Sequence, residues 1–458
     1  MVNLTFLGGT GTVTGSKFLL ETDTSRVLAE AGLFQGLRDL RRRNWQPFAV
    51  PPDTLDAVAI THAHLDHCGY LPRLARDGFS GPALASRWTT ELAAIVLRDS
   101  AHLQEEDAKY AEKKGYSKHS PPMPLYDSAD AERAIELLRP LDFGLRQQIA
   151  DNVFMRLEPA GHILGSAVMQ LEVDGTSVVL SGDLGRESHP ILNAPAPPPD
   201  ADFVLVESTY GDRGHEDPGE VLAESIRRTV ARGGSVIIPA FAVDRTEILL
   251  YELAELIRSG AIPDVPVYVD SPMALAALRL YRQAIRDRSE EIRSELLDDD
   301  KNPFDHEFFR EAQTVEQSKE LNDPVSPVII ISASGMATGG RVVHHLAGML
   351  PDPKHTVILS GFQAVGTRGR DLLEGAQQLK MHGQYVRVRA EVVKLPGFSA
   401  HADADELVQW LARAARPPHT CFVVHGEEQS SETLAGRIRE ELDWTVAVPR
   451  PGEVVRLG

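Results

Sequence analysis

Ala57-Val58-Ala59-Ile60-Thr61-His62-Ala63-His64-Leu65-Asp66-His67 is the stretch on which the reading of this chain turns. Asp56 to Ile60 reads as a short apolar strand. Two histidines at i and i+2 then project to the same side of an extended chain. Asp66 and His67 open a helix expected to run to Gly78, which suits a C-terminal cap. One turn thus aims three imidazoles and a carboxylate at a single volume. Neutral imidazole and carboxylate are the donors that zinc takes in catalytic sites. For a lone histidine a polar surface turn would be the better reading; for this string at a strand end it is not.

Further donors stand at the ends of other apolar runs. His162 follows the strand Val153 to Glu158, Asp183 follows Ser177 to Ser181, and His425 follows Thr420 to Val424. Each sits beside a glycine, where the backbone can turn sharply. Each alone is weak; together with the first cluster they form a candidate dinuclear set.

The chain around this set has 458 residues, 42% of them hydrophobic, enough for two or three globular units. No apolar run approaches the roughly 18 residues of a spanning helix, and residues 1–11 lack the pattern of a signal peptide. Two cysteines, Cys68 and Cys421, fit reduced thiols in a cytoplasmic protein. The 47 Lys and Arg against 66 Asp and Glu give a net charge of -19, which argues against a general nucleic-acid coating protein. An enzyme gripping a phosphate backbone in one local site stays compatible with that charge, because bound cations supply positive potential.

Residues 1 to about 208 read mostly as strand: 3–7, 16–21, 26–30, 56–60, 153–158, 167–173, 177–181 and 202–207. Helices are expected near 70–77, 88–114 and 129–138. From about 209 strands alternate with helices: helix 218–231, strand 235–239, helix 244–258, strand 266–270, strand 327–332, helix 340–348, strand 356–360. That rhythm implies a parallel sheet flanked by helices. Beyond about 385 the chain returns to strands, with 386–395 and 420–424.

At this point the motifs carry a resemblance. His62-Ala63-His64-Leu65-Asp66-His67 with His162 and Asp183 resembles the metallo-β-lactamase superfamily. Glu207-Ser208-Thr209-Tyr210-Gly211-Asp212-Arg213, Gly397-Phe398-Ser399-Ala400-His401-Ala402-Asp403 and Val424-His425-Gly426-Glu427 resemble motifs A, B and C of its β-CASP ribonuclease branch. The resemblance covers essentially the whole chain. It implies an α/β fold: a metallo-β-lactamase αββα sandwich formed by 1–208 and 390–458, with an α/β β-CASP domain inserted over 209–389. It implies two zinc ions, with manganese as the alternative. One would be held by His62, His64, His162 and Asp183, the other by Asp66, His67, Asp183 and His425, with Asp183 bridging. Asp66 and Asp183 thereby join His401 and Glu207 in the catalytic set. His401 would protonate the leaving oxygen, and Glu207 would orient it.

The implied activity is hydrolysis of single-stranded RNA, endonucleolytic or 5′-to-3′ exonucleolytic, by a hydroxide that the two ions activate. The products would carry a 5′-phosphate and a 3′-hydroxyl. A DNA nuclease of the same branch and a small-molecule hydrolase are the alternatives. His425 favours RNA, because DNA-directed members generally lack a histidine in motif C. The sequence leaves a homodimer open. One residue departs from the pattern: Glu30 stands where the family usually has Asp, and a longer side chain there is expected to loosen the support of the metal loop.

Two glycine-rich runs follow strands and open helices. In 332–341, Ser334, Gly335, Gly339, Gly340 and Arg341 are expected to meet RNA phosphate; in 361–370, Arg368 is. The bland reading is that both merely join strand to helix. In 104–126, Tyr110, Tyr116 and Tyr126 interleave with Lys109, Lys113, Lys114 and Lys118, a composition that could stack and steer bases. A solvated helix and loop explains that segment equally well.

Overall fold

The alternating apolar runs do become strands. In a computed structural model, which describes residues 1–114, 123–215, 220–297, 302–361, 363–395 and 397–458, the chain divides into two units. One comprises Met1–Gly214 with His401–Gly458, the other His215–Ala400.

The first unit begins with β1 (Val2–Gly8), β2 (Lys17–Glu21), β3 (Arg26–Ala29), β4 (Ala57–Ala59), β5 (Ala83–Ala85) and β6 (Leu138–Pro140). It continues with β7 (Gln147–Ala150), β8 (Val153–Pro159), β9 (Ala167–Val173), β10 (Thr176–Leu180) and β11 (Phe203–Glu207). The second unit holds β12 (Val236–Pro239), β13 (Val267–Val269), β14 (Phe309–Glu311), β15 (Ile329–Ser332), β16 (Thr356–Leu359), β17 (Gln378–Met381), β18 (Gln384–Arg387) and β19 (Glu391–Lys394). The first unit then resumes with β20 (Thr420–Val424), β21 (Val446–Ala447) and β22 (Val454–Leu457).

Two seven-stranded sheets make up the first unit, in the orders β22-β1-β2-β3-β4-β5-β6 and β21-β20-β11-β10-β9-β8-β7. Side chains alternate across a strand, and β11 shows the consequence. Phe203 and Leu205 enter the core between the sheets with Phe6, Leu20, Met155 and Phe422. Val204 and Val206 face the other way, onto Leu411, Leu434 and Ile438. Those three belong to helices Ala404–Ala412 and Glu428–Leu442, which cover that sheet. Helix Arg87–Lys114 packs on β5 and β6 of the other sheet. The result is the expected αββα sandwich. Its functional consequence is that β4, β8, β10, β11 and β20 all run out beside one another into loops carrying polar side chains.

The second unit is built on six parallel strands in the order β14-β13-β15-β12-β16-β19. Strands buried on both faces read as continuous apolar runs, which is how Val236 to Ile238 and Ile329 to Ile331 read and how they are buried. The single strand expected over 386–395 is two. β18 pairs with β17 in a hairpin, and β19 lies parallel to β16 in the six-stranded sheet. The division therefore falls after Ala400 rather than after 389. At the other end it falls after Gly214 rather than 208, because the backbone N–H of Ser208 donates to His425 O and its hydroxyl to Val424 O. Among the described residues no helix is long and apolar enough to cross a membrane.

The loop after β3 lies tightly against the turn after β4. Ala31 N–H donates to His67 O at 2.7 Å, and Leu33 N–H to Leu65 O at 2.8 Å. A Cβ on Gly32 would sit 1.7 Å from Asp66 O. Gly32→Ala should therefore lower stability by about 2 kcal/mol or more, read as a drop in Tm. Gly436, in helix Glu428–Leu442, has nothing within 4 Å of its added Cβ, so Gly436→Ala should stabilise by about 0.5–1 kcal/mol. Equal thermal midpoints for the two variants would contradict this packing.

Candidate metal centre

Each donor is placed by the end of a strand. After β4 the chain leaves through Thr61, and His64 N-caps the short helix Leu65–Cys68, whose first turn carries Asp66 and His67. His162 follows β8 in a loop closed by Ser166, whose hydroxyl accepts from His162 N at 2.9 Å. Asp183 follows β10 across Gly182, which has φ +57 and comes close to Thr61. His425 follows β20 with φ +50, and its N–H donates to Gly9 O at 2.6 Å.

These loops bring seven donors into two groups around one carboxylate. Asp183 Oδ2 lies 3.4 Å from His62 Nε2 and 3.7 Å from His162 Nε2. His64 Nδ1 is 3.1 Å from His62 Nε2 and 3.3 Å from His162 Nε2. On the other side, Asp183 Oδ1 lies 3.4 Å from His67 Nε2 and 3.5 Å from His425 Nε2. Asp66, His67 and His425 have ligand atoms within 4.8 Å of one another. A tetrahedral ion with metal–nitrogen bonds of 2.0–2.1 Å has donor–donor edges of about 3.4 Å. The observed spacings, 3.1 to 3.7 Å, lie close to such edges.

The chemistry of the donors fits as well. His67 Nε2 and Asp183 Oδ1 are buried without a hydrogen-bond partner, an arrangement that needs a cation or proton to satisfy it. Burial holds His64, His67 and His162 well below the ordinary histidine range, so they present neutral rings with lone pairs. Burial alone would raise Asp183, but the His425, His67 and His62 imidazoles outweigh it and hold the carboxylate ionised.

A second layer orients the rings. Thr61 Oγ1 is 3.0 Å from His62 Nδ1, and Ser16 Oγ is 2.7 Å from His425 Nδ1. Glu30 stands behind a third ring, that of His67. Held at φ +65 at the end of β3, it is 1% exposed. Its Oε1 accepts from Thr61 N at 3.2 Å, and its Oε2 lies 3.5 Å from His67 Nδ1. The longer side chain thus hydrogen-bonds the backbone of the metal loop, while its Oε2 and the His67 Nδ1 it approaches are both buried without a hydrogen-bond partner; burial pushes the Glu30 carboxyl well above its ordinary range. Ser16 escaped the sequence reading because its partner is 409 positions away. Thr61 was adjacent to a ligand and carried no signal of its own.

His401 stands at the rim of the first group. Its Nδ1 is 3.3 Å from Glu207 Oε2 and 3.8 Å from Asp183 Oδ2. Glu207 is fixed by Leu184 N at 2.7 Å and Thr209 N at 3.3 Å. Burial opposes the imidazolium, but Glu207, then Asp183 and Asp66, push His401 up to about 9.

In the second unit the expected phosphate contacts need correction. Arg341 Nη1 donates to Asp270 Oδ1 at 2.6 Å and to Ala312 O at 2.9 Å. Asp270 Oδ2 also accepts from Ser318 Oγ and meets His345 Nε2, each at 2.6 Å. Arg368 donates to Ala337 O, Thr338 O and Lys380 O. Arg368 thus holds the glycine-rich loop through two of its carbonyls, whereas Arg341, at the loop's end, is held by Asp270 and by the carbonyl of Ala312 outside it. Ser334 Oγ accepts from Thr338 N, Gly335 packs on Phe241, Gly340 turns at φ +77, and Gly339 is open on its Cβ side. Tyr126 is fully buried and hydrogen-bonds Ser100, so it offers no face to a base. Lys109 pairs with Glu106, and Tyr110 is exposed. Tyr116 and Lys118, with the side chains of Lys113 and Lys114, lie outside the described residues.

Comparison with known proteins places the chain among families with these domains. The metallo-beta-lactamase superfamily matches residues 11–228, the Beta-Casp domain 246–372, and the Zn-dependent metallo-hydrolase RNA specificity domain 385–449. Ribonuclease TTHA0252 of Thermus thermophilus is 38% identical over 98% of both chains. Transcription termination factor FttA of Pyrococcus horikoshii is 32% identical over 100% of this chain and 71% of its own. An RNase J-like protein of Methanocaldococcus jannaschii is 32% identical over 99% of this chain and all of its own. A solved structure of a protein of unknown function from Enterococcus faecalis shares the fold, with a TM-score of 0.54 at 14% identity over both full chains.

Glu30→Ala removes the carboxylate behind His67. Zinc affinity, measured by competition with a chromogenic chelator, should fall about 10- to 100-fold. Wild-type affinity in this variant would show that His67 needs no such support.

Proposed function

This chain belongs to the β-CASP ribonuclease family of the metallo-β-lactamase superfamily, and from that premise we propose how its residues hydrolyse RNA phosphodiester bonds. The observation that carries the reading is the two-sided environment of Asp183, with Oδ2 beside His62 and His162 and Oδ1 beside His67 and His425. His62, His64, His162 and Asp183 Oδ2 would hold one zinc ion; Asp66, His67, His425 and Asp183 Oδ1 would hold the other. When bound, such a pair supplies Lewis acidity and an activated water for in-line attack on phosphorus. Glu207, itself anchored by two backbone amides, orients His401 and favours its protonated form. His401 donates its proton to the departing 3′ oxygen, leaving a 3′-hydroxyl on one product and a 5′-phosphate on the other.

The glycine-rich loop 334–341 supplies backbone donors for a substrate phosphate, at Gly339 above all, where no side chain blocks approach. Arg341 and Arg368 have protein partners, Asp270 and Ala312 O for the one, Ala337 O, Thr338 O and Lys380 O for the other, and their part in the reading is to brace the segment that carries the loop. The two cysteines are buried free thiols, which suits a reducing cytoplasmic setting.

Metal-loaded enzyme should cleave end-labelled single-stranded RNA in preference to matched DNA, and mass spectrometry should find 5′-phosphate and 3′-hydroxyl ends. A 2′,3′-cyclic phosphate would make the ribose hydroxyl the nucleophile and contradict the reading. His401→Ala should keep its metal and lose about 10²- to 10⁴-fold in kcat, with Glu207→Gln impaired in the same step. Metal loss in His401→Ala beside full activity in Glu207→Gln would reverse these assignments.

A further inference from the structure

β17 and β18 form a two-stranded ribbon joined by His382 and Gly383, both at positive φ, +49 and +82, as a type I′ turn requires. Its register pairs Gln378 with Arg387, Leu379 with Val386, and Lys380 with Tyr385. Directly opposed residues share a face, so the ribbon has two unlike sides. Leu379 and Met381 are buried in the core of the second unit, with Val386 packed against it. Gln378, Lys380, Tyr385 and Arg387 point outward and are exposed, Tyr385 at 68%.

That outward side is unusual for this chain. The net charge is -19, yet the strands and turn over residues 378–387 contain Lys380, Arg387 and His382 and no acidic residue. Neither Lys380 nor Arg387 is drawn into an ion pair among the described residues. The Lys380–Tyr385 pair sets the Cβ atoms of a cationic and an aromatic side chain about 5 Å apart, and the Gln378–Arg387 pair follows about 7 Å further along the ribbon. At the turn, His382 stacks on His344 with ring centroids 4.2 Å apart and an angle of 24°. His344 lies in the first turn of helix Arg341–Met349, which the glycine-rich loop opens. Arg368 completes the connection, donating from one guanidinium to Lys380 O of the ribbon and to Ala337 O and Thr338 O of the loop.

We propose that this outward face is a docking surface for single-stranded RNA, continuous with the glycine-rich loop. A base stacks on Tyr385 while Lys380 and Arg387 meet the phosphates on either side of it. Stacking of this kind tolerates any base, and the cations supply attraction that the chain as a whole lacks. The proposal rests on the ribonuclease reading above.

The test uses full-length zinc-loaded enzyme and an unstructured, end-labelled RNA of twenty nucleotides. Tyr385→Ala should raise KM about 5- to 100-fold with kcat little changed, while Tyr385→Phe, which keeps the ring, stays near wild type. Lys380→Ala and Arg387→Ala should each flatten the dependence of log KM on log salt by about 0.7. All three side chains being exposed, thermal midpoints of the four variants should match wild type. KM and salt slope at wild-type values in Tyr385→Ala, Lys380→Ala and Arg387→Ala would overturn the docking surface. Equal losses in Tyr385→Phe and Tyr385→Ala would overturn the stacking on which it depends. A wild-type enzyme that hydrolyses bis-p-nitrophenyl phosphate but not this RNA would instead bring down the ribonuclease reading itself.

Discussion

A carboxylate with 2% of its side chain exposed is surrounded by five imidazoles, and the rest of the first unit is arranged to make that tolerable. Asp183 turns Oδ2 toward His62, His162 and His401, and Oδ1 toward His67 and His425. An isolated buried charge would be driven to neutralise. Here the surrounding imidazoles outweigh burial and keep it ionised, and the proposed cations would sit on its two sides. Every ligand loop is consequently braced by a neighbour: Gly32 against Asp66, Ser166 beneath His162, Gly9 on His425. Two rings are held in turn by Thr61 and Ser16. A change at either position would act on metal binding through geometry, without removing a ligand.

The second unit shows the same economy around Asp270. That carboxylate, fully buried at the end of β13, takes Arg341, His345 and Ser318 as partners. Burial would raise it; the hydrogen bonds from His345, Ser318 and Arg341 hold it below the usual range. Arg341 and His345 lie on one face of the same helix, so the cluster ties that helix, and the glycine-rich loop at its start, to the edge of the parallel sheet. The loop's backbone is presented to solvent while its side-chain anchors are withdrawn beneath it.

Much of this was legible in the sequence where a local pattern coincides with a structural role. His62, His64, Asp66 and His67 fall within one turn, and His162, Asp183 and His425 each follow a strand whose apolar run announces it. What the sequence concealed were pairings between distant segments. Arg341 and Arg368 look like phosphate ligands because they sit beside glycines, but their partners, Asp270 and Lys380 O, lie 71 and 12 positions away. Tyr126 resembles a stacking residue among lysines until its hydroxyl is seen buried on Ser100. The run 386–395 reads as one strand because nothing local marks the break between β18 and β19; only the parallel pairing of β19 with β16 assigns it to the insert. Helix Pro272–Arg286, by contrast, has a capping Ser271 and a first-turn proline, signals that a closer reading of the sequence would have used.

The claim on which the account stands is that Asp183 is shared by two ions. Anomalous diffraction at the zinc edge, from crystals of zinc-loaded protein, tests it directly. The account predicts two peaks about 3.5–4 Å apart, one beside His62, His64 and His162, the other beside Asp66, His67 and His425, with the Asp183 carboxylate between them. A single peak at full zinc loading, or two peaks of which only one contacts Asp183, would contradict it.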